Sequence, residues 1–259
     1  MLHSNWQVGF LVAFTCGAIL YYILSARTGR QVFIRKIPGL NAVDEAVGRA
    51  AEMGRPLIFC PGLGGLDVNM FCCLAVLTYV IRLAAEFGVR VITVIFQPQV
   101  YPVAEEVVRQ AYESEGRAGM FSSDDVRFLS PDQSVFAMSV SGTIVREQAA
   151  SCFFFGDYGF EALILAETGQ HSGAVQIACT PAIFQIPFFI ATCDYVVIGE
   201  EFYAASAYLS RDPTMIGSLV GQDRGKILLL ALIIIGVIFA TIQGQAHNWF
   251  WLKLFSTYS

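Results

Sequence analysis

Residues 59–71 read FCPGLGGLDVNMF: a short apolar run, a glycine cluster, then the opening of a helix. Strand, tight turn and helix in that order make one βα unit. The glycines pose a choice between a turn whose backbone N–H groups cradle a phosphate and a corner that only lets helix and strand approach closely.

The same alternation continues along the chain. Strands are expected at 57–60, 90–96, 126–129, 152–155, 174–178 and 195–198, each followed by a helix, at 67–87, 102–116, 131–150, 157–168, 181–192 and 200–210. Six βα units in succession predict a parallel sheet covered on both faces, an α/β fold with a Rossmann-like doubly wound parallel sheet of about six strands. Asp67 is placed to cap the first of these helices, Thr180 followed by Pro181 reads as an N-cap with proline at the first helical position, and Gly88, Gly116 and Gly169 mark helix ends. FEALILAE is read as helix because Phe160, Leu163, Ile164 and Glu167 recur at helical spacing. A further helix at 41–53, with Asn41 as N-cap and Asp44 at its third position, precedes the first strand. The runs 90–96 and 195–198 are apolar throughout and read as central strands. The helix at 181–192, PAIFQIPFFIAT, has no polar face, which points to self-association.

Beyond these units the composition changes. The chain is 55% hydrophobic and only 14% charged, where an ordinary soluble domain carries about a quarter charged residues. Residues 6–24 (WQVGFLVAFTCGAILYYIL) and 227–242 (ILLLALIIIGVIFATI) contain no Asp, Glu, Lys or Arg. Each reads as a transmembrane helix, the second extended to 225–245 to reach the ~20 residues a bilayer needs. A secretory signal would begin with Lys or Arg and end at a small-residue cleavage site, and residues 1–5 hold no such charge. The positive charges instead follow the first span (Arg27, Arg30, Arg35, Lys36) and precede the second (Arg211, Arg224, Lys226). That bias predicts both termini outside and the middle in the cytoplasm, with HNWFWLKLF as an outer aromatic collar. The expected organisation is 1–26 N-terminal span, 27–226 cytoplasmic α/β domain, and 227–259 second span with interfacial tail.

Cysteines Cys60, Cys72, Cys73, Cys152, Cys179 and Cys193 lie in the middle part and Cys16 in the first span; with no CxxC pair and no histidine at zinc-ligand spacing, they read as reduced, buried hydrophobes. A net charge of −5 and the lack of a basic stripe exclude a nucleic-acid surface.

In an open α/β sheet ligands gather at the carboxyl ends of the strands. The loops there read PGLGG, QPQVY, SPD, GDYG, CT and GEE. Gly62, Gly64 and Gly65 start a GxGxxG pattern that meets Asp67 where its third glycine belongs, and no lysine lies between Lys36 and Lys226 to complete a P-loop. Gly62, Gly64, Gly65, Asp67, Asp157 and Glu200 are the candidate ligand residues. Asp67, Asp157 and Glu200 have the chemistry to hold a divalent ion, but three acids at helix starts are also what the helix dipole favours, so neither metal nor cofactor is expected. MSVSG (138–142) is not a GxSxG elbow, His171 falls in a turn at the strands' amino ends, and Cys60 has no histidine partner, so no catalytic residue is expected.

The two spans carry small residues at i, i+4, i+8: Gly9, Ala13 and Gly17 in the first, Gly236, Ala240 and Gly244 in the second. Such faces let helix backbones approach closely in lipid, within or between subunits.

The segments GLNAVDEAVGRAAEMGRP (39–56), LILAETGQHSGAVQIACT (163–180), IGEEFYAASAYLSRDP (198–213) and GSLVGQDRGK (217–226) resemble an uncharacterised family of prokaryotic membrane-anchored proteins, a domain of unknown function. The resemblance implies a prokaryotic protein with this two-span layout and brings no activity or catalytic residue. Taken together, these features lead to the expectation of a non-enzymatic, homo-oligomeric scaffold or assembly subunit whose partners are the lipid bilayer and its own copies. The alternative is a small-molecule or nucleotide sensor, or an enzyme, using the carboxyl-end crevice.

Overall fold

The computed structural model describes residues 6–27, 38–210 and 213–242. The chain divides into two compact units, Arg35–Ser210 and the terminal segments Met1–Ile34 with Arg211–Ser259.

Unit Arg35–Ser210 holds six strands: β1 (Leu57–Cys60), β2 (Val91–Ile95), β3 (Val126–Phe128), β4 (Ser151–Phe155), β5 (Val175–Thr180) and β6 (Tyr195–Ile198). Every pairing is parallel and the order is β3-β2-β1-β4-β5-β6. The chain therefore winds outward from β1 to β3, returns to lay β4 on the other side of β1, and winds outward again. Its helices are α2 (Pro38–Met53), α3 (Val68–Phe87), α4 (Tyr101–Ser114), α5 (Gln133–Arg146), α6 (Glu161–His171), α7 (Ile186–Thr192) and α8 (Glu201–Ser210).

The central strands β1 and β4 are buried at every position, as sheet covered on both faces requires. Alternation along them sends successive side chains to opposite layers. Phe59, Phe153 and Phe155 stack on one face, with Phe59 and Phe155 ring centres 5.6 Å apart. Phe154 on the other face stacks on Phe189 of α7 at 6.2 Å, within a core that includes Ile58, Cys152, Phe136, Val140 and Leu165. At the amino end of β2, Arg90 pairs with the buried Asp125 and with Glu147, which also accepts from Arg127, so the cations there are consumed in pinning strands.

Several boundaries follow the sequence closely. The Asp67 side chain accepts from Met70 N at 2.8 Å to cap α3, and Gly88 in the left-handed conformation ends it. Others differ for physical reasons. Helix α2 begins at Pro38, so Asn41 and Asp44 lie inside it and Asp44 accepts from the Tyr79 hydroxyl at 2.8 Å instead of capping. Helix α6 starts only at Glu161, leaving Asp157 in the loop, and runs through Gly169 to His171. Gly169 is there because a Cβ would collide with the Gln176 amide, and Gly173, at φ 71°, follows the helix end. The 181–192 segment is not one helix: after the Thr180 hydroxyl accepts from Ala182 N, a 3-10 turn (Ile183–Gln185) intervenes and α7 starts beside Pro187, which lacks the N–H a continuous helix would use. Strand β6 is an edge, not central, and Tyr195 and Ile198 are exposed.

Unit Met1–Ile34 with Arg211–Ser259 contributes α1 (Trp6–Arg27) and α9 (Pro213–Ile242), which pack on each other. Among the described residues, α3 is the one helix long and apolar enough to cross a membrane by length and composition, and it is a core helix, more than half buried. The apolar stretch Val12–Ser25 of α1 is shorter.

Candidate functional site at the junction of β1 and β4

Because the winding reverses between β1 and β4, the loops leaving these two strands lie side by side at the position where open α/β sheets take ligands. Their geometry answers the question posed by the glycines. Gly62 sits at φ 79° and Gly156 at φ 110°, conformations that L side chains rarely adopt. A Cβ on Gly62 would overlap the Asp157 backbone, and one on Gly156 would run into the Pro61 carbonyl oxygen and Cys73 Sγ. The two turns are pressed together, backbone on backbone, and Leu63 N donates to the Asp157 carbonyl oxygen at 2.8 Å.

The polar groups of the junction are likewise engaged. Asp67 spends a carboxylate oxygen on capping α3, so an acid already occupies the helix start where a phosphate would rest. The Asp157 carboxylate accepts from Asn69 Nδ2 at 2.7 Å, and Asn69 Oδ1 accepts from the Tyr203 hydroxyl at 2.8 Å, linking the β4 loop, α3 and α8. Tyr158, buried, donates to the Cys60 carbonyl oxygen at 2.6 Å. Glu161, fully buried, accepts from Gly159 N at 2.5 Å and from Gln133 Nε2, holding the β4 loop against α5.

Of the candidates read from sequence, Gly62, Asp67 and Asp157 meet at this junction. A Cβ added at Gly64 would meet Asp67 and Met70, and one at Gly65 the Gln99 amide, both at ordinary contact distance. Glu200 lies exposed in the turn before α8. Among the described residues no group of three His, Cys, Asp or Glu is arranged to hold a metal ion, so Asp67, Asp157 and Glu200 do not converge on one. Gly156, Asn69, Tyr158, Glu161 and Tyr203 were not among the sequence candidates. Only Gly156, a glycine directly after a strand in FGDYG, carried a local signal.

The nucleophile candidates are placed for inertness. Burial pushes the Cys60 thiol up to about 11, against the opposing hydrogen bonds of Tyr158 and Gly62. Burial also holds Cys73 and Cys179 well above the usual thiol range. Residues 138–142 lie in the middle of α5 and form no elbow. His171, exposed, stands at the far end of α6 with Glu167 3.8 Å away, beside an open hollow of about 340 Å³ lined by Arg55, Val145, Gln148, Thr168 and Ser172.

In the helix pair, Gly9, Gly17 and Gly236 have open space where a Cβ would stand, and Ala13 is exposed. Ala240 falls within α9; Gly244, the cations at Arg30, Arg35, Lys36 and Arg211, and the HNWFWLKLF tail lie outside the described residues. The close approach within the chain is at Gly221, where a Cβ would come within 3.0 Å of the Ile19 Cα.

No curated protein matches the chain, and no solved structure does. A sequence family does, over residues 2–250, and it is described as a domain of unknown function. With nearly the whole length matched, the chain belongs to the DUF6754 family.

Proposed function

We propose that the chain is a membrane-anchored, self-associating scaffold subunit of a prokaryotic cell, without catalytic activity of its own. In this reading a Rossmann-like domain is held by a transmembrane helix at each end, with both termini outside and the domain in the cytoplasm. The observation that carries it is the junction of β1 and β4: where a doubly wound sheet ordinarily offers a crevice to a ligand, the Gly62 and Asp157 backbones touch, Asp67 caps α3, and the Asp157 carboxylate and Tyr203 hydroxyl are both engaged by the Asn69 amide. The charge-free runs at 6–24 and 227–242, flanked by Arg27, Arg30, Arg35, Lys36, Arg211, Arg224 and Lys226 on the inner side against Lys253 on the outer, support the anchoring.

Two measurements test this. Alkaline extraction of membranes leaves the chain in the pellet, and a membrane-impermeant reagent applied to intact cells fails to reach Lys36; release by alkali, or labelling of Lys36, would remove the anchoring or the orientation. A thermal-shift panel of nucleotides, divalent ions and metabolites produces no stabilisation. A shift of several degrees that Asp67→Ala abolishes would replace the scaffold with a sensor or enzyme at the crevice.

A further inference from the structure

The connections that enter β1, β4 and β5, neighbours in the sheet, meet around the hollow of about 340 Å³ at the strands' amino ends. Arg55 comes from the first connection, Val145 and Gln148 from the end of α5 and the second, and Thr168, His171 and Ser172 from the end of α6 and the third. Helix carboxyl ends attract cations by themselves, so Arg55 and His171 alone do not define a site. The main chain decides what is left for a ligand. The carbonyl oxygens of Ile144 and Val145 accept from Ala149 N and Gln148 N, and those of Thr168, Gly169 and Gln170 from Ser172 N, Ala174 N and Gly173 N. The Thr168 and Ser172 hydroxyls donate to the Ile164 and Thr168 carbonyl oxygens. With these acceptors engaged, the open groups are donors: the His171 ring, the Gln148 amide and the Arg55 guanidinium, which has no ion-pair partner among the described residues. Glu167, 3.8 Å from His171, does not line the hollow.

Gln148 supplies the second observation. At φ 51° it is the one described residue other than glycine in the left-handed region. Helices α2, α3, α4 and α6 close in the same conformation with Gly54, Gly88, Gly116 and Gly173, which have no Cβ to strain. At the end of α5 a side chain is kept against that preference, and it lines the hollow. Strain of this kind collects at ligand sites. The adjacent acid, Glu147, is engaged by Arg90 and Arg127, so it does not compete for the donors here.

We propose that this hollow takes the phosphate of an anionic lipid headgroup, with the Arg55 guanidinium as its principal donor and Gln148 and His171 beside it; the proposal rests on the membrane anchoring in the reading above. A guanidinium matches phosphate oxygens in pairs. The hollow is at the small end of the range for ligand sites, about 300–1,000 Å³, which suits a headgroup. Charge and topology select lipid as the source. The loops at the opposite, carboxyl ends of the strands carry Asp67, Asp132, Asp157 and Glu200 and no Lys or Arg, so an anionic leaflet repels that face. Helix α8 runs back from the carboxyl end of β6 and stops at Ser210, at the same end of the sheet as the hollow, and from there the chain leads to the charge-free run at 227–242. A site held near a bilayer meets headgroups at high local concentration, so a weak intrinsic affinity fills it from the membrane and leaves dissolved phosphoesters unbound.

The test uses the full chain in detergent micelles with added phosphatidylglycerol, the lipid retained per chain being counted by native mass spectrometry. The parent chain retains the lipid. Arg55→Ala weakens retention about tenfold, as the loss of one charge-assisted hydrogen bond should, and Gln148→Gly weakens it too. Arg117→Ala, at an exposed arginine outside the hollow, leaves retention unchanged. Gln148→Gly relieves the left-handed φ and melts no lower than the parent, so its loss of lipid is not a folding defect. Millimolar glycerol phosphate does not displace the lipid. Retention that survives both Arg55→Ala and Gln148→Gly, or that Arg117→Ala reduces equally, overturns the proposal and leaves the anchoring standing. Displacement by millimolar glycerol phosphate does the same, because the hollow would then serve a soluble phosphoester. A parent chain that alkali releases from membranes removes the anchoring and this lipid assignment together.

Discussion

Leu63 donates its backbone N–H to the carbonyl oxygen of Asp157 at 2.8 Å, so the turns leaving β1 and β4 are bonded directly to each other where the winding of the sheet reverses. The contact exists because Gly62 has no side chain. Gly62→Ala therefore combines a disfavoured φ with backbone overlap and costs about 3 kcal/mol or more, whereas Gly64→Ala, whose Cβ would find its nearest neighbour at 3.5 Å, changes stability by less than about 1 kcal/mol. Thermal unfolding followed with a fluorogenic thiol reagent, which reacts as buried cysteines reach water, reads both. Equal effects at the two positions would contradict the account of a packed corner.

Tyr158 supplies the second tie across the same junction through its bond to the Cys60 carbonyl. Tyr158→Phe removes the donor but keeps the ring that packs at 5.4 Å from Phe189. The expected loss is about 1–2 kcal/mol, and Tyr158→Ala, which also leaves a cavity, loses about 3–5 kcal/mol.

The buried thiols make stability fall at high pH. Burial raises the Cys60 pKa to about 11 from the ordinary 9.0, so the folded state holds its proton more tightly than the unfolded chain. That contribution is complete below pH 9 and is lost as pH rises from 9 through 11. Unfolding midpoints measured from pH 7 to 11 therefore decline above 9, and Cys60→Ala flattens part of the decline. In the native protein at pH 8, the buried Cys60 reacts with maleimide orders of magnitude more slowly than it does in the denatured chain.

The α1–α9 pair has its tight point at Gly221 against Ile19, not at the glycines of the i, i+4, i+8 pattern. Gly221→Leu forces the two backbones apart and lowers the thermal midpoint of the detergent-solubilised chain by several degrees. Gly9→Leu and Gly236→Leu, with open space at each Cβ, leave that midpoint unchanged. Loss of higher assembly in these two variants, read by native mass, would assign their small-residue faces to contacts between copies.

Strand and helix positions were legible because each depends on local signals: apolar runs for β1 and β4, the Asp67 cap, the Gly88 stop. At Gly169 and β6 the reading slipped because a distant residue or strand decides the outcome, whereas the break at Pro187 was a local signal left unread. Gly169 stays helical to make room for Gln176, and β6 looks central by composition but is the edge because, among the described residues, no later strand pairs with it. The junction was half legible for the same reason. Gly62 and Asp67 stand out as turn and cap residues, but the partner that gives Gly62 its role, the Asp157 backbone, is known only once β4 is placed beside β1. Asn69 and Tyr203, 134 positions apart, offer no sequence pattern that joins them.

The seam between β1 and β4 has a mechanical consequence. The line where the winding reverses is crossed by a ladder running from Leu57 to Cys60 and fastened above by touching main chains. Opening the sheet along this line would have to break the β1–β4 ladder and part the two bonded turns together.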